Sequence, residues 1–126
     1  MQVYGEVFQK HFPKAISWSD QAFDCCEFHG IDGEGLHMTS SFIDCTFDRC
    51  DLYWVLFNTT TLVGVKFRNC DFRGCSFSGC RIVECTFENC RFVADNLGGD
   101  CHFNGSRWYG CTQRGTDGLS AELASI

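Results

Sequence analysis

The sequence predicts an all-β fold, a right-handed quadrilateral parallel β-helix of about four to five coils. Two observations favour it. Large apolar residues recur at every fifth position from Phe42 to Leu97, twelve times without interruption. The position two residues before each is small or carries a thiol in nearly every copy. This period fits neither an α-helix, with about 3.6 residues per turn, nor a flat strand, in which side chains alternate.

A chain that turns a corner every five residues satisfies both observations. Each side then directs one large and one small residue inward, and four sides complete a coil. Coils that stack through strand-like hydrogen bonds lie about 4.8 Å apart. Gly at positions 64, 74, 79 and 99 and Asn at 69 and 89 fall where corners are expected. Tight turns favour these residue types.

Residues one coil apart are predicted to form columns. The predicted inner columns are Phe47, Phe67, Phe87 and Trp108; Leu52, Phe72 and Phe92; Phe57, Phe77 and Leu97; and Phe42, Leu62 and Ile82. Stacked aromatic pairs contribute about 0.5–1.5 kcal/mol each beyond the area that they bury. On the outside, Asp48, Arg68 and Glu88 are predicted to form a ladder of alternating charge.

Three segments resemble the motif of the pentapeptide-repeat family, a small residue followed by Asp or Asn and then Leu or Phe. They are Cys50-Asp51-Leu52, Cys70-Asp71-Phe72 and Asp95-Asn96-Leu97-Gly98-Gly99. The resemblance covers residues 21–112 and implies the same β-helix. It implies no single activity, because one fold supports many functions.

An open β-helix exposes unpaired strand edges at its ends, so capping segments are expected. Residues 1–20 are interpreted as the N-terminal cap, with an apolar spacing compatible with a short helix interrupted by Pro13. That spacing is formed by Phe8, Phe12, Ile16 and Trp18. Residues 113–126 are interpreted as a C-terminal tail or cap, in which Leu119, Leu123 and Ile126 suggest a second short helix.

The composition predicts a cytoplasmic protein without a membrane span. The chain contains no run of about 18 apolar residues, and its N-terminus lacks the pattern of a secretory signal. Its eleven cysteines are odd in number and regularly spaced, which favours buried, reduced thiols over a disulfide framework. Cys25 and Cys26 lie in a less regular segment and are predicted to be the accessible exceptions.

The net charge of −6 comes from the first coils. Residues 23–64 hold seven acidic residues and one basic residue, whereas residues 65–100 hold five of each. The acidic end includes Asp32, Glu34, Asp44, Asp48 and Asp51. Direct binding of nucleic acid requires basic patches and is disfavoured. A basic partner is compatible with this charge.

Two apolar groups are predicted to face outward. The five-residue register turns Tyr53, Trp54 and Leu56 to the surface, beside Gly74 and Ala94, whose small side chains leave space. Such a group is a candidate interaction surface. Three occupants are open: a terminal segment of the same chain, a second copy in a homodimer, or a foreign protein. The second candidate is the outer stripe of Ile43, Val63 and Val83.

The sequence predicts no catalytic, cofactor or metal site. No phosphate-binding loop, nucleophile motif or paired-carboxylate motif is present. The cysteines of one coil lie on four sides around large side chains, so packing is favoured over tetrahedral zinc. They are Cys70, Cys75, Cys80 and Cys85. His29 and His37 flank a Gly-rich turn that contains Asp32 and Glu34, and these residues are interpreted as a polar loop rather than a metal cluster.

The predicted function is a non-enzymatic protein-interaction or scaffold module, binding a protein partner or itself. The family resemblance implies one alternative, a DNA-mimicking protein that binds a type II topoisomerase (gyrase), as in quinolone resistance. That alternative fits incompletely, since the acidity is confined to one end and no long projecting loop is expected to interrupt the repeats.

Overall fold

The computed structural model describes residues 2–9 and 20–119, in which the chain forms sixteen three-residue strands and no helix. All the strand pairs are parallel. The strands are β1 (Gln2–Tyr4), β2 (Val7–Gln9), β3 (Ala22–Asp24), β4 (Glu27–His29), β5 (Asp32–Glu34), β6 (Ser41–Ile43), β7 (Thr46–Asp48), β8 (Asp51–Tyr53), β9 (Thr61–Val63), β10 (Lys66–Arg68), β11 (Asp71–Arg73), β12 (Arg81–Val83), β13 (Thr86–Glu88), β14 (Arg91–Val93), β15 (Arg107–Tyr109) and β16 (Thr112–Arg114).

The strands form four walls. The first wall has the order β1-β3-β6-β9-β12-β15, the second β2-β4-β7-β10-β13-β16, and the third β5-β8-β11-β14. The fourth wall is held by single bridges that join His37, Leu56, Ser76 and His102 in succession. The predicted all-β, right-handed quadrilateral β-helix is therefore confirmed.

Columns of buried side chains fill the interior. On the second wall, the ring centroids of Phe47 and Phe67 lie 5.1 Å apart and those of Phe67 and Phe87 5.0 Å apart, with the rings nearly parallel. Phe57 stacks on Phe77 in the same way, at 4.6 Å. These contacts confirm the five-residue register as the source of the core.

The inward thiols explain why the small position is so often Cys. Each of the ten inward cysteines donates a hydrogen bond to the carbonyl of a large inward residue in the preceding coil. Cys70, for example, lies 3.4 Å from the Phe47 oxygen. Thr60 makes the same bond to Met38 at 2.8 Å. Alanine would pack there but would leave these carbonyls without this donor.

The corner residues have positive φ. Gly64, Gly74 and Gly79 have φ of 59–66°, whereas Trp54 takes the same left-handed conformation with φ 55°. Such backbone is rare for bulky L-residues because Cβ approaches the carbonyl oxygen. The predicted corners at these glycines and at the two asparagines are confirmed, and Gly99 instead lies in a loop.

Two pairings depart from a regular coil of four five-residue sides. Phe42 pairs with Phe23 across a shortened coil, which confirms a shifted frame upstream. Phe103 stacks on Phe77 at 5.5 Å across a coil that an insertion lengthens. The inserted residues, 95–100, project from the corner between the third and fourth walls. They are called the loop 95–100.

The loop corrects two predictions. Leu97 does not continue the column of Phe57 and Phe77, since it is 86% exposed at the loop surface. Trp108 pairs with Ile82 on the first wall rather than extending the Phe87 column. Both errors have one cause: the segment from Asp95 matches the repeat motif but forms a local turn.

The β-helix extends beyond residues 21–112 at both ends. Phe8 lies in β2, not in a helix, and its ring stacks on Phe28 at 5.1 Å. At the other end β16 continues to Arg114, and Asp117 bridges to Arg91. Leu119 is buried. The remaining residues of the two predicted cap helices, Phe12, Ile16, Trp18, Leu123 and Ile126, lie outside the described residues.

No helix within the described ranges is long and apolar enough to cross a membrane.

Candidate interaction site

An aromatic pair lies where the third wall turns into the fourth. Tyr53 ends β8 and Trp54 occupies the following corner, with ring centroids 4.4 Å apart in an edge-to-face arrangement. Trp54 is 39% exposed and Tyr53 is half-buried. The structure thus places both side chains outside the core, where the register predicted them.

The loop 95–100 contacts this pair through two hydrogen bonds. The indole Nε1–H of Trp54 donates to Asp95 Oδ2 at 2.6 Å. The backbone N–H of Asn96 donates to the Tyr53 hydroxyl at 3.0 Å. The segment that contacts the pair is therefore internal, and none of the occupants considered from the sequence included it.

Asp95 organises the loop as well as the indole. Its Oδ1 accepts the backbone N–H groups of Leu97 and Gly99, each at 2.8 Å. The hydrogen bond from Trp54 is the main reason that the pKa of the Asp95 carboxyl is lowered. Gly74 leaves the required space, because a Cβ there would lie 2.9 Å from Asp95 atoms. A side chain at position 74 would thus displace the carboxylate from Trp54.

An open cleft of about 470 Å³ adjoins the aromatic pair on the third wall. Strand β5 supplies Asp32 and Glu34, β8 supplies Asp51 and Tyr53, and the loop supplies Asn96. In the register of the wall, Asp32 lies beside Asp51 and Glu34 beside Tyr53. Gly33, Trp54 and Arg73 complete the lining. The site is named here the third-wall cleft.

The charges of the third-wall cleft are unbalanced. Arg73 is the single cation among the described residues of the lining. Its Nε lies 3.7 Å from Asp51 Oδ1, and its Nη2 lies 3.8 Å from Asp71 Oδ2. Arg91 Nε donates to Asp71 Oδ1 at 3.0 Å. Within the described residues, Asp32 and Glu34 have no ion-pair partner. The cleft thus keeps two uncompensated carboxylates.

The other predicted surface residues lie elsewhere. Ile43, Val63 and Val83 are register neighbours on the first wall, where Tyr109 extends the stripe. Ile43 is 37% exposed and the two valines are half-buried. Leu56 is half-buried on the fourth wall, between His37 and Ser76, and does not line the cleft. The structure therefore separates the stripe and Leu56 from the aromatic pair.

The acidic end is divided among the walls. Asp32, Glu34 and Asp51 are exposed on the third wall, whereas Asp48 lies on the second, with an oxygen 3.6 Å from His29 Nδ1. Asp44 occupies the corner after the first wall. The excess of acidic residues therefore gives one acidic cleft rather than one acidic face.

The histidines and the two adjacent cysteines named in the sequence analysis lie in different settings. His29 and His37 lie on different walls, so they do not form a common cluster. Asp24, Cys25 and Asp44 do lie together, within 4.8 Å. The thiol of Cys25 is hydrogen-bonded to Asp24 Oδ1 at 3.3 Å, which raises its pKa. Cys25 is exposed as predicted, whereas Cys26 is fully buried, so its predicted accessibility is wrong.

Sequence reasoning did not identify Cys111. Its thiol is half-buried, and a hydrogen bond with the Cys85 thiol in the preceding coil is the main cause that lowers its pKa to about 7. The loop 95–100 lies between these two cysteines in the chain, so the register of uninterrupted coils does not bring them together.

A solved structure and the sequence pattern of a known family agree with this architecture. A trypsin-treated variant of QnrB1, a plasmid-mediated fluoroquinolone resistance protein, matches with a TM-score of 0.58 and 14% identity, over 92% of this chain and 57% of that chain. Full-length QnrB1 matches with a TM-score of 0.32 and 11% identity, over 99% and 98%. No curated protein matches significantly. The sequence pattern of the pentapeptide repeat region matches residues 16–97, so the chain belongs to the pentapeptide-repeat family.

Proposed function

We propose that this protein is a non-enzymatic interaction module that binds a protein partner at the third-wall cleft. The observation that carries the proposal is the fixed aromatic pair, since Trp54 and Tyr53 are each hydrogen-bonded to the loop 95–100. Tyrosine and tryptophan are enriched among residues that dominate binding energy. Side chains already held in one orientation lose little entropy when a partner binds.

The lining of the cleft supports a binding role over catalysis. Among the residues that the structure describes, the lining combines carboxylates, two aromatic rings, one guanidinium and one amide, without a histidine, a thiol or a serine hydroxyl. Nucleophilic catalysis needs a nucleophile beside a general base. The eleven free cysteines support the further proposal that the protein works in the reducing cytoplasm.

Affinity purification from the native host, followed by quantitative mass spectrometry, tests the proposed function. Trp54→Asn removes the indole, and asparagine tolerates the positive φ of this corner. A specific partner should fall by about tenfold with this variant, and purified components should show the same loss. Val63→Thr is the control. It replaces valine by a residue of similar size on the first wall, away from the cleft, and should retain the partner. Equal recovery of every specific partner by both variants would contradict the proposal.

A second candidate is binding to gyrase in the manner of a DNA mimic. The fold match to a fluoroquinolone resistance protein and the presence of a projecting loop favour it. The division of the acidic residues among the walls weighs against it. In a supercoiling assay with purified gyrase and a fluoroquinolone, this candidate requires that the protein restore supercoiling. No restoration at a molar excess over gyrase eliminates it.

A further inference from the structure

We propose that the third-wall cleft receives an arginine side chain of the protein partner. The proposal rests on the proposed function and specifies the chemistry of the partner. It depends on three features of one cavity: two carboxylates that have no ion-pair partner among the described residues, an aromatic wall held in place, and a volume large enough to admit a side chain.

The charges that line the cleft determine the sign of the charge that a ligand should carry. Of the four charged groups that line the cleft in the described part of the chain, three are carboxylates. The one cation among them, Arg73, already lies near Asp51 and Asp71. Asp32 and Glu34 point to a cationic ligand because a guanidinium could donate to both of them. Charge-assisted bonds of this kind are about twice as strong as bonds between neutral groups. A phosphate or nucleic-acid ligand would meet repulsion from the same carboxylates.

The aromatic wall favours a planar cation. The indole N–H of Trp54 is occupied by Asp95, so this side chain offers its ring rather than a hydrogen-bond donor. Tyr53 meets it edge to face and lies in register with Glu34. A guanidinium stacks on an aromatic ring and donates from its edges at the same time. A lysine ammonium is a compact charge and lacks that flat, two-sided geometry.

The cleft is large enough to admit a side chain. Its volume of about 470 Å³ lies in the range of about 300–1,000 Å³ that is usual for small-ligand sites. Trp54 and Tyr53 are anchored before the ligand arrives, so the cost of ordering them is already met by the folded chain. An exposed arginine on a partner could therefore enter without rearrangement of the β-helix.

N-acetyl-arginine amide is the probe, and the indole N–H resonance of Trp54 is the signal, assigned by its loss in Trp54→Phe. We expect a saturable shift with this probe and an affinity at least about tenfold lower for N-acetyl-citrulline amide, its neutral isostere. Asp32→Asn with Glu34→Gln should weaken binding of the arginine probe by at least about fivefold. Asp44→Asn with Asp48→Asn removes the same charge outside the third wall and should leave the affinity for the arginine probe nearly unchanged.

Equal binding of the citrulline probe, no saturable shift, or equal losses in the two double variants would overturn the inference. Thermal unfolding of each variant shows whether the fold is intact. The inference and the proposed function can fail separately. If Trp54→Asn loses the partner but N-acetyl-arginine amide does not bind the cleft, the arginine site alone is disproved. A partner that Trp54→Asn retains disproves the proposed function.

Discussion

Cysteine at the small inward position both fills space and bonds to the coil before it. Because the thiol donates to a carbonyl, the ladder of each coil gains a side-chain bond beyond the backbone pairing. Cysteine is also small and apolar enough to pack between phenylalanine columns. The regular Cys spacing is therefore a consequence of packing, as the sequence predicted, and also of hydrogen bonding, which the sequence did not indicate.

Thiol reactivity should follow pKa as well as exposure. The pKa of Cys111 is lowered to about 7 by its bond with Cys85, whereas that of exposed Cys25 is raised by Asp24. We expect alkylation of Cys111 by iodoacetamide to rise through about pH 7 and level off. Alkylation of Cys25 should still be rising above pH 9.0, the ordinary value for the thiol.

Peptide-resolved mass spectrometry measures both rates. The eight fully buried cysteines serve as internal controls and should react only after denaturation. Labelling of these residues in the native protein at the rate of Cys25 would show that the inward assignment of the thiols is wrong.

Phe67 provides a test of the core column. Phe67→Ala should lower the free energy of unfolding by about 3–5 kcal/mol, because the rings on either side cannot collapse into the cavity. Leu97→Ala is the matched control. Leu97 occupies the same position of the repeat motif but is 86% exposed, so its loss should change stability by less than about 0.5 kcal/mol. Urea unfolding measures both, and equal effects would refute the assignment of the two residues.

At the scale of elements, the loop 95–100 links residues that are distant along the chain. The lowered pKa of Asp95 gives this link a pH dependence with a definite sign. Its stabilising contribution is fully present above the unfolded pKa, near 3.8, and is lost as the pH falls through the lower folded pKa. The link should therefore persist at pH 4 and above.

The Trp54 indole resonance reports this transition. Its pH midpoint should lie below 3.8, the ordinary value of the Asp95 carboxyl. Asp95→Asn, which keeps the size of the side chain, should abolish the transition. A midpoint at or above 3.8 would mean that the carboxylate is not stabilised by the indole N–H.

The success of sequence prediction differs among elements for physical reasons. From Phe42 to Phe92 every fifth residue is buried as predicted, since each five-residue side packs on similar neighbours. At Asp95 the sequence motif continues but the β-helical coil is interrupted, because the Asp95 carboxylate accepts hydrogen bonds from two backbone N–H groups of its own segment. The adjacent Gly98 and Gly99, followed by a repeat pattern out of frame, are the signal of the insertion.

The first coil was missed for a different reason. Val3 and Phe8 are five residues apart and both are buried, but two positions do not establish a period. In the third-wall cleft, the outward direction of Tyr53 and Trp54 followed from the register. The contact of this aromatic pair with the loop 95–100 could not be predicted from the register, because it depends on an insertion two coils away.

At the scale of the whole molecule, the homodimer is one of the alternatives that the sequence left open and remains a prediction, and the first wall offers the better surface for it. The stripe of Ile43, Val63 and Val83 lines up with the half-exposed Tyr109, whereas the loop already contacts the aromatic pair. A two-fold dimer would use this stripe against itself. Light scattering should show a dimer that Val63→Asp converts to a monomer, because the substitution brings like charges together.

Trp54→Asn is the control for that measurement and should leave the mass unchanged. A monomeric wild-type protein would rule out the dimer. A dimer that resists Val63→Asp but is lost with Trp54→Asn would move the interface to the third wall.

The side-chain bonds described above give the β-helix a chemical direction. Among the described residues, every inward thiol donates to a backbone carbonyl of the coil on its N-terminal side, and none donates to a carbonyl of the coil on its C-terminal side. Two β-helices that meet end to end could continue this series of thiol–carbonyl bonds only in a head-to-tail arrangement. Such an arrangement repeats without closing. A closed pair that meets end to end must therefore interrupt the series, whereas a pair that meets wall to wall leaves it whole in both molecules.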